Sequence, residues 1–172
     1  MPAAADVQVT TMLRWVGTQW EQGMLQPYHE HFVSEQLRYT LARRWSGSRS
    51  ADGPPVICCT LPGEQHDLGS HMVSAVLASM GCQPVVLGRD LPVASIVEAA
   101  SRTNAVAVAI SVVNPEQVTT VPHDLQILRH KLGQGCALLV GGRAMVEVPG
   151  SEVFSSLREL SSWVREHLDN ME

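Results

Sequence analysis

Apolar residues recur along the chain with two different rhythms. Up to residue 46 the rhythm is helical: Val9, Met12, Leu13, Val16 and Trp20 fall three to four positions apart. Gly23 can end that helix, and Pro27 suits the first turn of a second. Val33, Leu37, Leu41 and Trp45 form the apolar stripe of this second helix. Residues 6–46 are therefore predicted as two helices. The stretch GSRSADGPP (Gly47 to Pro55) has linker composition. From Val56 onward, short apolar runs alternate with amphipathic segments. Strands are predicted at 56–61, 84–88, 105–111 and 136–140, with a short fifth near Val153 and Phe154. Helices are predicted at 68–80, 93–103, 119–133 and 156–168. Such alternation implies an α/β fold, a flavodoxin-like (Rossmann-like) five-stranded parallel sheet covered on both faces. Two domains are expected: a two-helix cap over residues 1–48 and the sheet domain over 54–172. Two helices cannot make a bundle. Their stripes must bury against the sheet domain, another copy of the chain or a large flat ligand.

The candidate chemistry lies just past the carboxyl ends of three strand candidates, the edge where open α/β sheets bind ligands. After VICCTLPG (Val56 to Gly63) comes a loop with Glu64, His66 and Gly69, an E-x-H-x-x-G pattern. Ser111 ends the run AVAVAIS, and Gly141 and Gly142 end CALLV. A loop imidazole can offer one nitrogen to a metal if the other finds an acceptor, and Glu64 stands two residues away. Gly69 and the Gly141–Gly142 pair remove side chains where a bulky planar ligand would approach. Ser111 supplies a hydroxyl for a ring nitrogen. These residues describe one axial ligand below a metal and a narrow slot behind it.

Composition narrows the function classes. The net charge is −5, and the longest basic cluster is Arg43–Arg44, which argues against direct nucleic-acid binding. No apolar run reaches membrane-spanning length, and MPAAADV is not a signal peptide, so a cytoplasmic location is expected. Cys58, Cys59, Cys82 and Cys136 form no C-x-x-C pair and read as buried, reduced thiols. The remaining histidines suggest no site. His29 is expected to face solvent, His71 to lie at the surface, and His123, His130 and His167 to sit on polar helical stretches.

The three motifs resemble the cobalamin-binding fold, whose fingerprint is D-x-H-x-x-G, then S-x-L, then G-G. Forty-one residues separate Gly69 from Ser111, and twenty-seven separate Val113 from Gly141, in keeping with that family. Glu64 replaces the Asp, and S-x-L reads Ser111-Val112-Val113. The resemblance covers roughly residues 54–170. It implies that His66 is the lower cobalt ligand and Glu64 its hydrogen-bond partner. Ser111, Gly141 and Gly142 would hold the displaced nucleotide tail, with Val113 as an apolar wall.

A second pattern lies in the cap, where Trp20 is followed after nine residues by Glu30 and His31. This resembles the helical cap of the CarH/LitR-type photoreceptors, light-responsive cobalamin-binding regulators. The resemblance implies that Trp20 packs on the adenosyl group of adenosylcobalamin and that Glu30 contacts it. His31 would bind cobalt after light removes that group. A standalone form is expected, with no DNA-reading domain before the cap and about half the usual helical length. Signalling would then pass through a homo-oligomer or a partner regulatory protein. Two other functions fit the same fingerprint: a corrinoid methyl carrier of a methyltransferase system, and cobalamin storage or delivery. A phosphoacceptor domain is disfavoured, because the paired acids after its first strand are absent.

Overall fold

The computed structural model describes residues 26–48, 50–117 and 119–168. Helix α1 (Pro27–Ser48) comes first. The sheet domain then runs β1 (Pro55–Cys59), α2 (Leu68–Ser79), β2 (Gln83–Gly88), α3 (Val93–Arg102), β3 (Ala107–Ser111), a short 3-10 turn (Pro115–Gln117), α4 (Val121–Leu132), β4 (Ala137–Gly141), β5 (Ser151–Phe154) and α5 (Leu157–His167). The five strands are all parallel, in the order β2-β1-β3-β4-β5. Observed boundaries differ from the expected ones by one or two residues. The 3-10 turn after β3 carried no signal in the hydrophobic pattern.

The strands are nearly uniform in burial because both faces of the sheet are covered. Ile57, Cys59, Val108, Ile110, Leu138 and Val140 face one core, with Ile96 and Ala100 of α3 and Leu125 and Leu128 of α4. Val56, Cys58, Ala107, Ala109 and Leu139 face the other, with Leu77 of α2 and Leu160 and Val164 of α5. Alternation along each strand sends successive side chains to opposite layers. The C-terminus of α2 closes as a Schellman turn: Gly81 takes φ +84°, Gly81 N donates to Ala78 O at 3.2 Å, and Cys82 N donates to Leu77 O at 3.0 Å. Ser156 caps α5 by accepting from Glu159 N at 3.3 Å, and the Glu159 carboxylate takes Ser155 N in return. All four cysteines are free and buried, and burial pushes the Cys58 thiol up to about 12.

The first helix expected in the cap, with Trp20, lies outside the described residues. The second packs along α2 and buries Leu37 and Leu41, with Val33 and Trp45 half-buried. Its contacts run in step with those of α2: Arg38 meets Asp67, and Trp45 meets His71. The two helices therefore point the same way. The turns of α1 before Arg38 continue past the start of α2, beyond the carboxyl edge of the sheet. Among the described residues no helix is long and apolar enough to cross a membrane.

Candidate functional site

Strand β1 has β2 on one side and β3 on the other, so the chain order reverses between β1 and β3. A crevice opens at such a point, outside the carboxyl ends of the strands. The loop after β1, residues 60–67, occupies that edge beside the loop after β3.

This loop is braced from both ends. Thr60 Oγ1 donates to Glu64 O at 2.8 Å and accepts from Asp90 N at 3.0 Å. Asp90, with φ +57°, follows β2; its carboxylate accepts from Gly63 N at 2.7 Å and Gln65 Nε2 at 3.2 Å. Asp90 carried no sequence signal, because its partners are a backbone group and a neighbouring loop.

Glu64 is the centre of the arrangement. It is 1% exposed, yet both oxygens are fully used. One accepts from His66 N at 3.0 Å and lies 2.6 Å from His66 Nδ1. The other accepts from Val113 N at 2.8 Å and Asn114 N at 2.7 Å. Burial alone would raise this carboxyl. The bonds from Asn114, Val113 and His66 outweigh it and hold the group below the usual glutamate range. Glu64 thus joins the loop after β1 to the loop after β3. Val113 joins this bridge through its backbone N–H. Asn114 was missed, since a backbone N–H has no residue signature.

His66 is held at Nδ1 while its side chain stays 62% exposed. A carboxylate acceptor at Nδ1 places the proton there and leaves Nε2 with a lone pair facing outward. Among the described residues, no group of three or more His, Cys, Asp and Glu could hold a bare ion.

Ser111 and Gly141 stand beside each other in the β3–β4 register. Both fall on the face shared with α2 and α5, following Ala107 and Ala109 or Ala137 and Leu139 along their strands. Ser111 is 5% exposed, and its hydroxyl has no partner. Gly69 lies against it: a Cβ at Gly69 would stand 2.2 Å from Ser111 Oγ. Gly142 has φ +115°, and a Cβ there would meet Val112 O at 2.2 Å. The room at Gly69 and Gly142, which the sequence assigned to a ligand, is thus filled first by Ser111 and by the Val112 backbone. Gly141 differs: a Cβ there would lie 3.4 Å from its nearest neighbour, Phe154 O, an ordinary contact.

One expectation is overturned. His71 is not at the surface but 8% exposed, covered by α1. Its Nδ1 accepts from Trp45 Nε1 at 3.2 Å. Burial lowers its pKa, nearby Asp67 works against this, and Arg38 adds to it. A histidine one turn into α2 is buried because α1 lies on that face, which the sequence period of α2 alone does not reveal. Asp67 is likewise buried and is paired with Arg38 Nε at 3.0 Å and Nη2 at 2.9 Å. Arg38 also pairs with Glu35. Trp20 lies outside the described residues. Glu30 and His31 lie near the start of α1, and His31 is exposed. The structure therefore gathers Glu64, His66, Gly69, Ser111, Val113, Gly141 and Gly142 at one edge, with Glu30 and His31 on the helix that runs past it.

No protein-family model matches the chain. The HTH-type transcriptional repressor CarH of Myxococcus xanthus is 26% identical over 141 residues, covering 82% of this chain and 47% of that protein. Dimethylamine corrinoid protein 1 of Methanosarcina acetivorans is 30% identical over 100 residues, covering 56% of this chain and 46% of that protein. These proteins are homologues of the chain. The chain spans about half the length of either homologue. Among solved structures, the monomethylamine corrinoid protein of Methanosarcina barkeri matches with a TM-score of 0.66 at 18% identity, covering 89% of this chain and 77% of that one. At that identity the match speaks for the fold, a Rossmann-like α/β domain.

Proposed function

We propose that the chain binds cobalamin and serves as an adenosylcobalamin-dependent light sensor rather than an enzyme. The observation that carries the binding reading is the His66–Glu64 pair: Nδ1 fixed at 2.6 Å from a buried carboxylate on an otherwise exposed ring. The donor set fits the group. His66 Nε2 suits the lower cobalt position, and the Glu64 carboxylate makes that nitrogen more basic. The unpartnered Ser111 hydroxyl and the bare Cα of Gly141 suit the nucleotide tail. Both homologues are of kinds that fit this reading, a repressor named CarH and a corrinoid protein.

Bound adenosylcobalamin supplies a cobalt–carbon bond that visible light breaks. The chain's own part lies in α1. His31 precedes Arg38 by seven residues, which is roughly 10 Å along the helix axis. Arg38 is tied to Asp67, next to His66, so the Glu30–His31 turn extends beyond the cobalt-facing loop. With adenosylcobalamin bound, Trp20 and Glu30 would hold the adenosyl group, and His31 would be the imidazole available to cobalt from the α1 side. Repacking of α1 on α2 then changes a surface seen by a second copy or a partner regulator.

The corrinoid methyl-carrier reading is favoured by a separate observation, the 30% identity to a dimethylamine corrinoid protein. Absorption spectra of the protein with adenosylcobalamin, before and after green light, separate the two. A co-eluting cobalamin that converts to a stable protein-bound photoproduct supports the sensor. Binding without a distinct bound photoproduct favours the carrier. A protein that retains no cobalamin through gel filtration overturns both.

A further inference from the structure

Among the described residues three buried side-chain polar atoms have no hydrogen-bond partner: Ser70 Oγ, Ser111 Oγ and Trp163 Nε1. Buried donors without acceptors are unfavourable and rare, so each calls for a reason. All three belong to one layer, between the sheet and the helix pair α2 and α5. Ser111 follows Ala107 and Ala109, whose side chains face that layer. Ser70 shares a stripe with Ser74 and Leu77 on α2, and Leu77 is part of the same core. Ser70 is 2% exposed and lies at the end of α2 that borders the crevice, next to Gly69. Trp163 packs on the same core from α5 and meets Phe154 edge-on, with ring centroids 6.2 Å apart. Phe154 in turn pairs with Gly141 in the sheet register. Ser70, Gly69, Ser111, Gly141, Phe154 and Trp163 thus follow one another around the carboxyl end of this layer.

We propose that Ser70 and Trp163 act with Ser111 as hydrogen-bond donors to the buried nucleotide tail of the corrinoid. The inference rests on the cobalamin reading and deepens it. Neither residue belongs to the three motifs that suggested that reading. The chemistry matches: the tail carries an azole nitrogen, ribose oxygens and a phosphodiester, all acceptors, and an indole N–H can only donate. The Ser70 hydroxyl makes no local bond, whereas the next serine on the same stripe does: Ser74 Oγ donates to the Ser70 carbonyl at 2.7 Å. The Trp163 ring is held in place by Phe154 edge-on and by His167, which stacks on it with ring centroids 4.6 Å apart.

The test compares aquocobalamin with diaquocobinamide, a corrinoid without the nucleotide tail, in spectral titrations of the wild type, Ser70→Ala and Trp163→Phe. Each substitution removes one donor and keeps most of the packing. Each should weaken aquocobalamin roughly three- to tenfold and leave diaquocobinamide unchanged, since one hydrogen bond is at stake. The melting temperature of ligand-free Ser70→Ala should stay at or above the wild-type value, because an unpaired donor has been removed; Trp163→Phe also loses ring packing, so it is read from the ratio of its two corrinoid affinities. Wild-type affinity for aquocobalamin in both variants overturns the proposal, as does an equal loss for both corrinoids. If the wild type binds diaquocobinamide but not aquocobalamin, the tail has no slot here and the proposal fails while His66 ligation stands. If the wild type binds neither, the cobalamin reading itself fails.

Discussion

Replacing Glu64 by Gln tests the centre of the site with one atom. The carboxylate serves four N–H groups at 1% exposure. A carboxamide has one acceptor oxygen and one NH2, so it can satisfy only one of the two pairs. If the NH2 faces Val113 and Asn114, two buried donors lose their acceptor at about 1–3 kcal/mol each. If it faces His66, it opposes His66 N–H and forces Nδ1 to accept, which moves the ring proton to Nε2. The loss should be roughly 3 kcal/mol either way, against a total stability of about 5–15 kcal/mol for a domain. At about 2–4 °C per kcal/mol, the melting temperature should fall by roughly 6–12 °C. Thermal unfolding of the ligand-free protein at pH 7 measures this, and a corrinoid titration adds the lost Nε2 ligand. Acid supplies an internal control. Glu64 is held below its ordinary value of 4.5, so its contribution is complete above that pH and disappears as pH falls through the lower folded value. The difference between wild type and Glu64→Gln should therefore shrink on acidification below 4.5. A variant with wild-type melting temperature at pH 7 would refute the reasoning.

Other perturbations separate floor from roof. His66→Ala removes one of the four bonds to buried Glu64, so the ligand-free fold should lose about 1 kcal/mol, and corrinoid binding should weaken in a spectral titration. His31→Ala should keep dark binding and lose the light-generated spectrum. Gly69→Ala pushes a methyl into Ser111, and overpacking of that kind costs about 1–3 kcal/mol in denaturant unfolding; Ser111→Ala should relieve it only partly, since Ser111 Cβ is itself 3.2 Å away. His71 must be neutral to accept from Trp45, and its folded pKa is lowered from 6.5. Its contribution is complete above 6.5 and is lost as pH falls from there toward the folded value. The pH slope of stability between 7 and 5 should accordingly flatten in His71→Gln.

Much of this was legible because it is local. A loop after a buried strand, with an acid two residues before a histidine, brings the two side chains within reach in almost any conformation. The strand and helix periods of the sheet domain follow from burial on two faces, and the observed elements follow them closely. What the sequence hid depends on distant encounters. Arg38 and Asp67 are 29 residues apart, and Trp45 and His71 are 26 apart. The second pair of bonds to Glu64 comes from backbone N–H groups 49 and 50 residues away. Those groups belong to a Val and an Asn that any other non-proline residue could replace without changing the donor. The same limit applies to Trp163, whose N–H has no partner among the described residues.

The bond from Glu64 to both loops has a kinetic consequence. The floor of the crevice is already assembled, and no segment of it has to condense around an incoming molecule. Capture should then resemble a rigid dock, with little ordering entropy lost by the floor. The helix beside it is different: α1 is fastened along α2 by Arg38 and Trp45, and its leading turns continue past the carboxyl edge of the sheet. The slow event in loading or release should accordingly be the swing of one helix about that fastening, and loosening it should speed release more than loading.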